Sequence, residues 1–391
     1  MVSDKLHTKL IEAINIGDVN LVKQVIHDGV ISKTLPIHAI QNLSSVKILE
    51  LLLENGFEIF TDANKVFSQW MGSSATDYKL RSEKLDLLAF ISSYYLEKPA
   101  SIAKFKSSIL DQKRLFRMGL ESNNFDMMKF GVLIGADENE ALNSVLNRYY
   151  NKQENINREI LSEIIEYILS SIVAFKKITI LNAVCFKYSE VLTALNNMDD
   201  LEYGYEMAYK YNNDDLCKYF ISRGVSNQAQ SFAKMKVSAV KGDIKELRKA
   251  VNEGADVKEI QSDTLVEIIN KNQVKSLQYL YESGLPLDTS INQYLNESIN
   301  YHKAYDSISY LTELGLDVSK IKHIPLEFKS SYPILYDMWE KRFRNIFDYT
   351  IYLVKEVYPQ TDGKEKEKTL QRIAELSTLP YVVKRSQEVS I

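Results

Sequence analysis

The 391-residue sequence predicts an all-α protein: an α-solenoid of about ten helix-turn-helix repeats over residues 1–324, closed by a helical cap over 325–391. Three observations carry that reading. A thirteen-residue phrase occurs twice, GDVNLVKQVIHDG at 17–29 and GDIKELRKAVNEG at 242–254, sharing few letters beyond the opening Gly-Asp and the closing Gly but agreeing at every core-type position, Val19 with Ile244, Val22 with Leu247, Val25 with Ala250 and Ile26 with Val251. Helix-period apolar runs end on Gly29, Gly56, Gly135, Gly224, Gly254, Gly284 and Gly315, the last four spaced 30, 30 and 31 apart. The chain also holds only 14 Gly and 7 Pro against plentiful Leu, Ile, Lys, Glu and Asn, a composition that favours helices over strands.

In each repeat a first helix comes to a tight turn, read at Gly17-Asp18, Asn123-Asn124, Asn212-Asn213, Gly242-Asp243 and Asn272-Gln273. Gly and Asn tolerate the left-handed backbone of such a turn, and an Asp side chain caps the helix that follows. The second helix then turns one face to the core. Seven residues before the closing Gly stand Val22, Leu49, Met128, Cys217, Leu247, Leu277 and Ile308. Four before it stand Val25, Leu52, Gly131, Phe220, Ala250, Leu280 and Leu311, and none of the fourteen is charged or strongly polar. The glycine stops the helix because it enters left-handed backbone without a Cβ clash.

Three stretches, 62–98, 139–172 and 177–198, lack the closing Gly yet keep helical periodicity, as in KLDLLAFISSYYL (84–96) and REILSEIIEYILSSIV (158–173). They read as degenerate repeats. GSSATDYKLRS at 72–82 has loop composition and reads as an extended inter-repeat loop. From 325 the glycine register stops and Pro325 and Pro333 break the chain. One aromatic-rich helix is expected over 335–358, then the KEKEK run at 364–368 and a last short helix. A terminal repeat left bare would expose its apolar face, so this region is expected to cap the stack. The alternative is homo-oligomer formation or partner binding through 335–358.

These units resemble the ankyrin repeat, whose pattern TPLHxAA leads to a Gly, a second helix and a Gly-Ala-Asp loop. TKLIEAI at 8–14 keeps the Thr, the Leu and the first Ala of that pattern, and PIHAI at 36–40 keeps Pro36 and His38. GADE at 135–138 and GADV at 254–257 match the loop. The pattern's Leu slot holds Leu10, Ile37, Phe116, Tyr205, Met235 and Leu265; its Ala slot holds Ala13, Ile40, Gly119, Ala208, Ser238 and Ile268. No single unit carries the full string.

The resemblance implies that His38 forms structural hydrogen bonds between repeats. It also implies a concave face, lined by first-helix residues that turn away from the core, which binds another protein. On that face stand Glu12, Asn15, Lys210, Tyr211, Lys241, Asn270 and Lys271. Tyrosine is over-used at 24 residues, and exposed Tyr presents large amphipathic area at low entropic cost, so Tyr149 and Tyr150 join the candidate partner-binding residues. Strongly decayed ankyrin-type repeats in a chain biased to Lys, Ile, Asn and Tyr resemble those of viruses, phages and host-associated bacteria. The function that follows is a non-enzymatic effector that sequesters or redirects a host protein.

The chemistry-bearing residues point the same way. Five histidines show no ligand spacing, and Cys185 and Cys217 form no CxxC, so no metal or other cofactor is expected. Cys217 occupies a core slot and reads as an inert buried thiol. P-loop, GxGxxG, GxSxG and kinase signatures are missing. A net charge of −4 with interspersed signs offers no global argument for nucleic acid. The longest apolar stretch, 160–175, is too short to span a membrane and carries Glu163 and Glu166; the N-terminus shows no secretory h-region. A cytoplasmic location, including the cytosol of a host, is the expectation. Two other functions compete: an enzyme whose active site lies in the irregular middle or the C-terminal region, and a nucleic-acid binder. The first needs a deep pocket where titratable groups converge, the second a continuous stripe of lysines.

Overall fold

The computed structural model describes residues 2–57, 70, 78–98, 109–151, 157–286 and 289–389. Among them the chain is helical, without strands, and it divides into two compact units, Met1–Asn196 and Asn197–Ile391. Within each unit, neighbouring helices pack in pairs.

The second helices are uniform. Val19–His27, Val46–Glu54, Phe125–Leu133, Asp214–Ser222, Ile244–Asn252, Val274–Glu282 and Tyr305–Glu313 are each nine residues long. Each stops two residues before its glycine, and the seven glycines have φ between 76° and 115°. The stop is made by paired backbone bonds. After Val274–Glu282, the Gly284 N–H donates to Tyr281 O at 3.1 Å and the Leu285 N–H to Leu280 O at 3.0 Å. The residue that follows each glycine, Val30, Phe57, Ala136, Val225, Ala255, Leu285 or Leu316, is buried. The helix stop is therefore a glycine plus an apolar anchor, and the anchor ties each loop to the core.

First helices end by the same device. Gly17, Asn123, Asn212, Gly242 and Asn272 have φ between 52° and 78°. The next residue caps the second helix: Asp18, Asn124, Asn213 and Asp243 each accept the N–H three residues on, at 2.9–3.2 Å. Gln273, one methylene longer than Asn, makes no side-chain cap bond. Asp243→Ala removes one such cap and is expected to lower stability by about 1 kcal/mol, read by chemical denaturation. Of the fourteen face positions only Cys217 is not fully buried; it is half-buried, and burial, then Asp214, pushes its thiol pKa up.

Consecutive first helices are tied by polar side chains. Asn42 Nδ2 donates to Asn15 Oδ1 at 3.1 Å, Asn143 Nδ2 to Thr179 Oγ1 at 3.0 Å, and Ser298 Oγ to Asn270 Oδ1 at 2.6 Å. His38 does not share in this: it is exposed on a helix of only five residues, Ile37–Gln41. The histidine that bridges segments is His7, whose Nε2 lies 2.9 Å from Thr34 O.

The irregular middle differs in detail from expectation. In 177–198 the helix Lys177–Phe186 ends on Lys187 at φ 57°, and the Tyr188 N–H returns to Ala183 O at 3.0 Å. A lysine there holds a backbone state that costs a non-glycine residue about 1–2 kcal/mol, so the turn between the two helices forms without the Gly or Asn that marks it elsewhere. The second helix there, Ser189–Ala194, has six residues. The expected loop at 72–82 is helical from residue 78, where Tyr78–Leu96 begins with the strong helix formers Lys79, Leu80 and Arg81. Residues 72–77 lie outside the described residues.

In the second unit one apolar cluster runs from Met235 to Val382, so residues 325–391 pack directly on the helices before them. The single helix expected over 335–358 is broken. Pro333–Glu340 ends, Arg342 takes φ 61°, and Ile346–Tyr352 restarts under Asn345, which accepts the Asp348 N–H at 2.9 Å. Trp339 Nε1 donates to Ile321 O at 2.8 Å, fastening this segment to the last repeat loop.

Candidate functional site

The repeat length sets like positions side by side. Tyr211, Lys241 and Lys271 lie 30 residues apart, each immediately before the left-handed residue that ends its first helix. The helices are Met198–Lys210, Asn227–Lys241 and Ser262–Asn270. Together with Lys210, these three residues converge on a concavity of about 220 Å³ lined also by Glu206, Lys236, Val237, Val240, Thr264 and Glu267. Val237 and Val240 are each 4% exposed and form an apolar floor, while Tyr211 at 53% stands open on the rim.

The charges in this concavity neutralise one another only in part. Lys236 Nζ donates to Glu206 Oε2, with both side chains mostly shielded. Lys210 reaches across the middle helix to Glu267, donating to its two oxygens at 3.0 and 3.3 Å, and Lys271 approaches the same carboxylate at 3.5 Å. Lys241 donates to a neutral partner, Asn212 Oδ1, at 3.3 Å. Four ammonium groups thus face two carboxylates, which leaves a surplus of two positive charges over an apolar floor.

The remaining expected residues have other situations. Glu12 and Asn15 are exposed in the first unit, Asn15 bonded as described. Tyr150 is 38% exposed, its hydroxyl donates to Glu190 at 2.7 Å, and its ring centroid is 4.9 Å from that of Tyr188. Burial pushes its hydroxyl pKa up. Tyr150 thereby braces consecutive helix pairs, with half-buried Tyr149 packed edge-on against it at 5.3 Å. Asn270 is half-buried and holds Ser298.

Sequence reasoning passed over Glu206, Lys236 and Glu267. One signal for them was present: Glu206 and Lys236 are 30 residues apart, opposite charges at one register position of successive repeats. Spacing by one repeat makes neighbours of residues distant in the chain.

A second concavity, about 290 Å³, lies among Thr312, Glu313, Tyr332, Leu335, Met338 and Leu376, between the last repeat helix and the C-terminal helices. Burial raises the Glu313 carboxyl pKa, and burial followed by the bond to Asp306 pushes the Tyr332 hydroxyl up to about 12. A carboxyl whose pKa is raised on folding holds its proton more tightly in the native state. Glu313 therefore weakens the fold above its native pKa, and the penalty fades as pH falls toward the unfolded value of about 4.3. Glu313→Gln is expected to stabilise at neutral pH by about 1 kcal/mol or less after solvent screening, with the gain vanishing in acid; melting curves across pH check this.

Among the described residues, no group of His, Cys, Asp and Glu is placed to hold a metal ion, and no helix is long and apolar enough to cross a membrane. No family model, no curated protein and no solved structure matches this chain.

Proposed function

We propose that the chain is built of ankyrin-like helix pairs and works as a non-enzymatic scaffold that binds another protein, with the concavity around Tyr211 as a principal docking point. The observation that carries the reading is the convergence of Lys210, Tyr211, Lys241 and Lys271 from three successive first helices onto one apolar-floored hollow. Uniform nine-residue second helices and repeated caps support a stack whose lettering serves packing, leaving recognition to the faces that stay exposed. An exposed tyrosine ringed by charged groups has the make-up of an interface anchor, apolar in body and polar at its tip. The resemblance to the decayed ankyrin-type repeats of viruses, phages and host-associated bacteria implies that the bound protein belongs to a host cell.

Affinity capture from host lysate, run in parallel with the wild type and Tyr211→Ala, tests this. A stoichiometric protein held by the wild type and largely lost by the variant is the expected result. Equal retention by both refutes the placement of the site, and the absence of any protein partner refutes the scaffold.

A further inference from the structure

We infer that the concavity of Lys210, Tyr211, Lys236, Lys241 and Lys271 receives a short acidic segment of its protein partner, one apolar or aromatic side chain seated between carboxylates. The inference rests on the scaffold reading and adds the chemistry of what docks.

Size argues for a side-chain anchor. At about 220 Å³ the hollow lies below the ~300–1,000 Å³ of ordinary small-molecule pockets, and it is wide enough for one large side chain. Its floor, Val237 and Val240, has the apolar surface that such a side chain would cover, and the Tyr211 ring at the rim extends that surface. Charge argues for acid. Glu206 and Glu267 already engage Lys236 and Lys210, and Lys271 shares Glu267 at 3.5 Å. Lys241, exposed and bonded to neutral Asn212, and Lys271, its side chain 48% exposed, hold the ammonium groups open to an incoming carboxylate. A carboxylate arriving there gains charge-assisted hydrogen bonds from flexible donors at the rim, where desolvation is modest. A nucleic-acid strand would fit less well: its phosphates would pass the two resident carboxylates, and a backbone track needs a groove longer than this single hollow.

The experiment is fluorescence anisotropy on the full chain with three labelled probes: the peptide Glu-Asp-Phe-Asp-Glu, the peptide Lys-Lys-Phe-Lys-Lys, and a single-stranded oligodeoxynucleotide. The acidic peptide is expected to bind best and to weaken as salt rises. Lys241→Glu with Lys271→Glu should weaken it by about tenfold or more, and Tyr211→Ala by about threefold or more. The three substituted positions are exposed, and the Gln versions of the two lysine changes should give an intermediate loss with the helical circular-dichroism signal unchanged. Equal binding of the basic peptide, retention of the acidic peptide by the charge-reversed variant, or tighter oligonucleotide binding lost in that same variant would overturn the inference. A captured protein that the acidic peptide fails to displace also overturns it while leaving the scaffold standing; absence of any captured protein overturns the scaffold itself.

Discussion

Phe220→Ala is expected to lower the stability of the Asn197–Ile391 unit by about 3–5 kcal/mol, the usual cost of emptying a fully buried aromatic site. The Phe220 ring is 0% exposed and sits where Asp214–Ser222 crosses Met198–Lys210. Room for it comes from Gly204, in the middle of that first helix. A Cβ there would stand 2.5 Å from the ring. A mid-helix glycine costs roughly 1 kcal/mol relative to alanine, so the sequence gives up local helix stability to admit the ring.

This makes the pair testable as a cycle. Gly204→Ala alone gains about 1 kcal/mol of helix propensity but overpacks the ring by about 1–3 kcal/mol, for a net effect from near zero to a loss of about 2 kcal/mol. In the Phe220→Ala background the same change fills vacated space, and its sign should reverse. Chemical denaturation gives the totals, and amide exchange over 197–391 localises them. A loss below about 1 kcal/mol for Phe220→Ala would show that the ring is not held as described.

Gly315→Ala is the second large effect, with an expected loss of about 2–5 kcal/mol. Two terms add: left-handed backbone at φ 100°, about 1–2 kcal/mol for a residue with a Cβ, and collision with Tyr381, about 1–3 kcal/mol. The new Cβ would lie 2.4–2.6 Å from atoms of the Tyr381 ring, which the last helix, Pro380–Val389, lays over the last repeat's glycine. Gly284→Ala is the matched control. Its φ is 101°, but the nearest atom is Lys258 Cε at 3.9 Å, so only the backbone term should appear. The difference between the two variants measures how firmly the C-terminal helix seats on the repeat. Tyr381→Ala should abolish that difference, and equal losses in all backgrounds would refute the seating.

Some features were legible in the letters because they depend on local backbone sterics. A glycine that closes a nine-residue helix and an Asp or Asn that caps one act through atoms a few residues away, so Gly254, Asp243 and their counterparts could be read without knowing the fold. Lys187 and Arg342 escaped that reading because each holds a left-handed state that its side chain does not favour, closed by the backbone bonds of the next residue, Tyr188 N–H to Ala183 O and Phe343 N–H to Met338 O. The break in 335–358 was hidden for the same reason.

The site divides in the same way. Periodicity alone marked Tyr211, Lys241 and Lys271 as equivalent positions, since a repeat of 30 residues is written along the chain. Only the tertiary structure decided that Lys210 reaches over an intervening helix to Glu267, that Lys236 is neutralised by Glu206, and that Asn270 and Tyr150 serve as internal braces. Residue spacing sets which positions face the same way; the net charge and reach of a surface depend on which side chains find partners across elements, and those distances exist only once the helices are stacked.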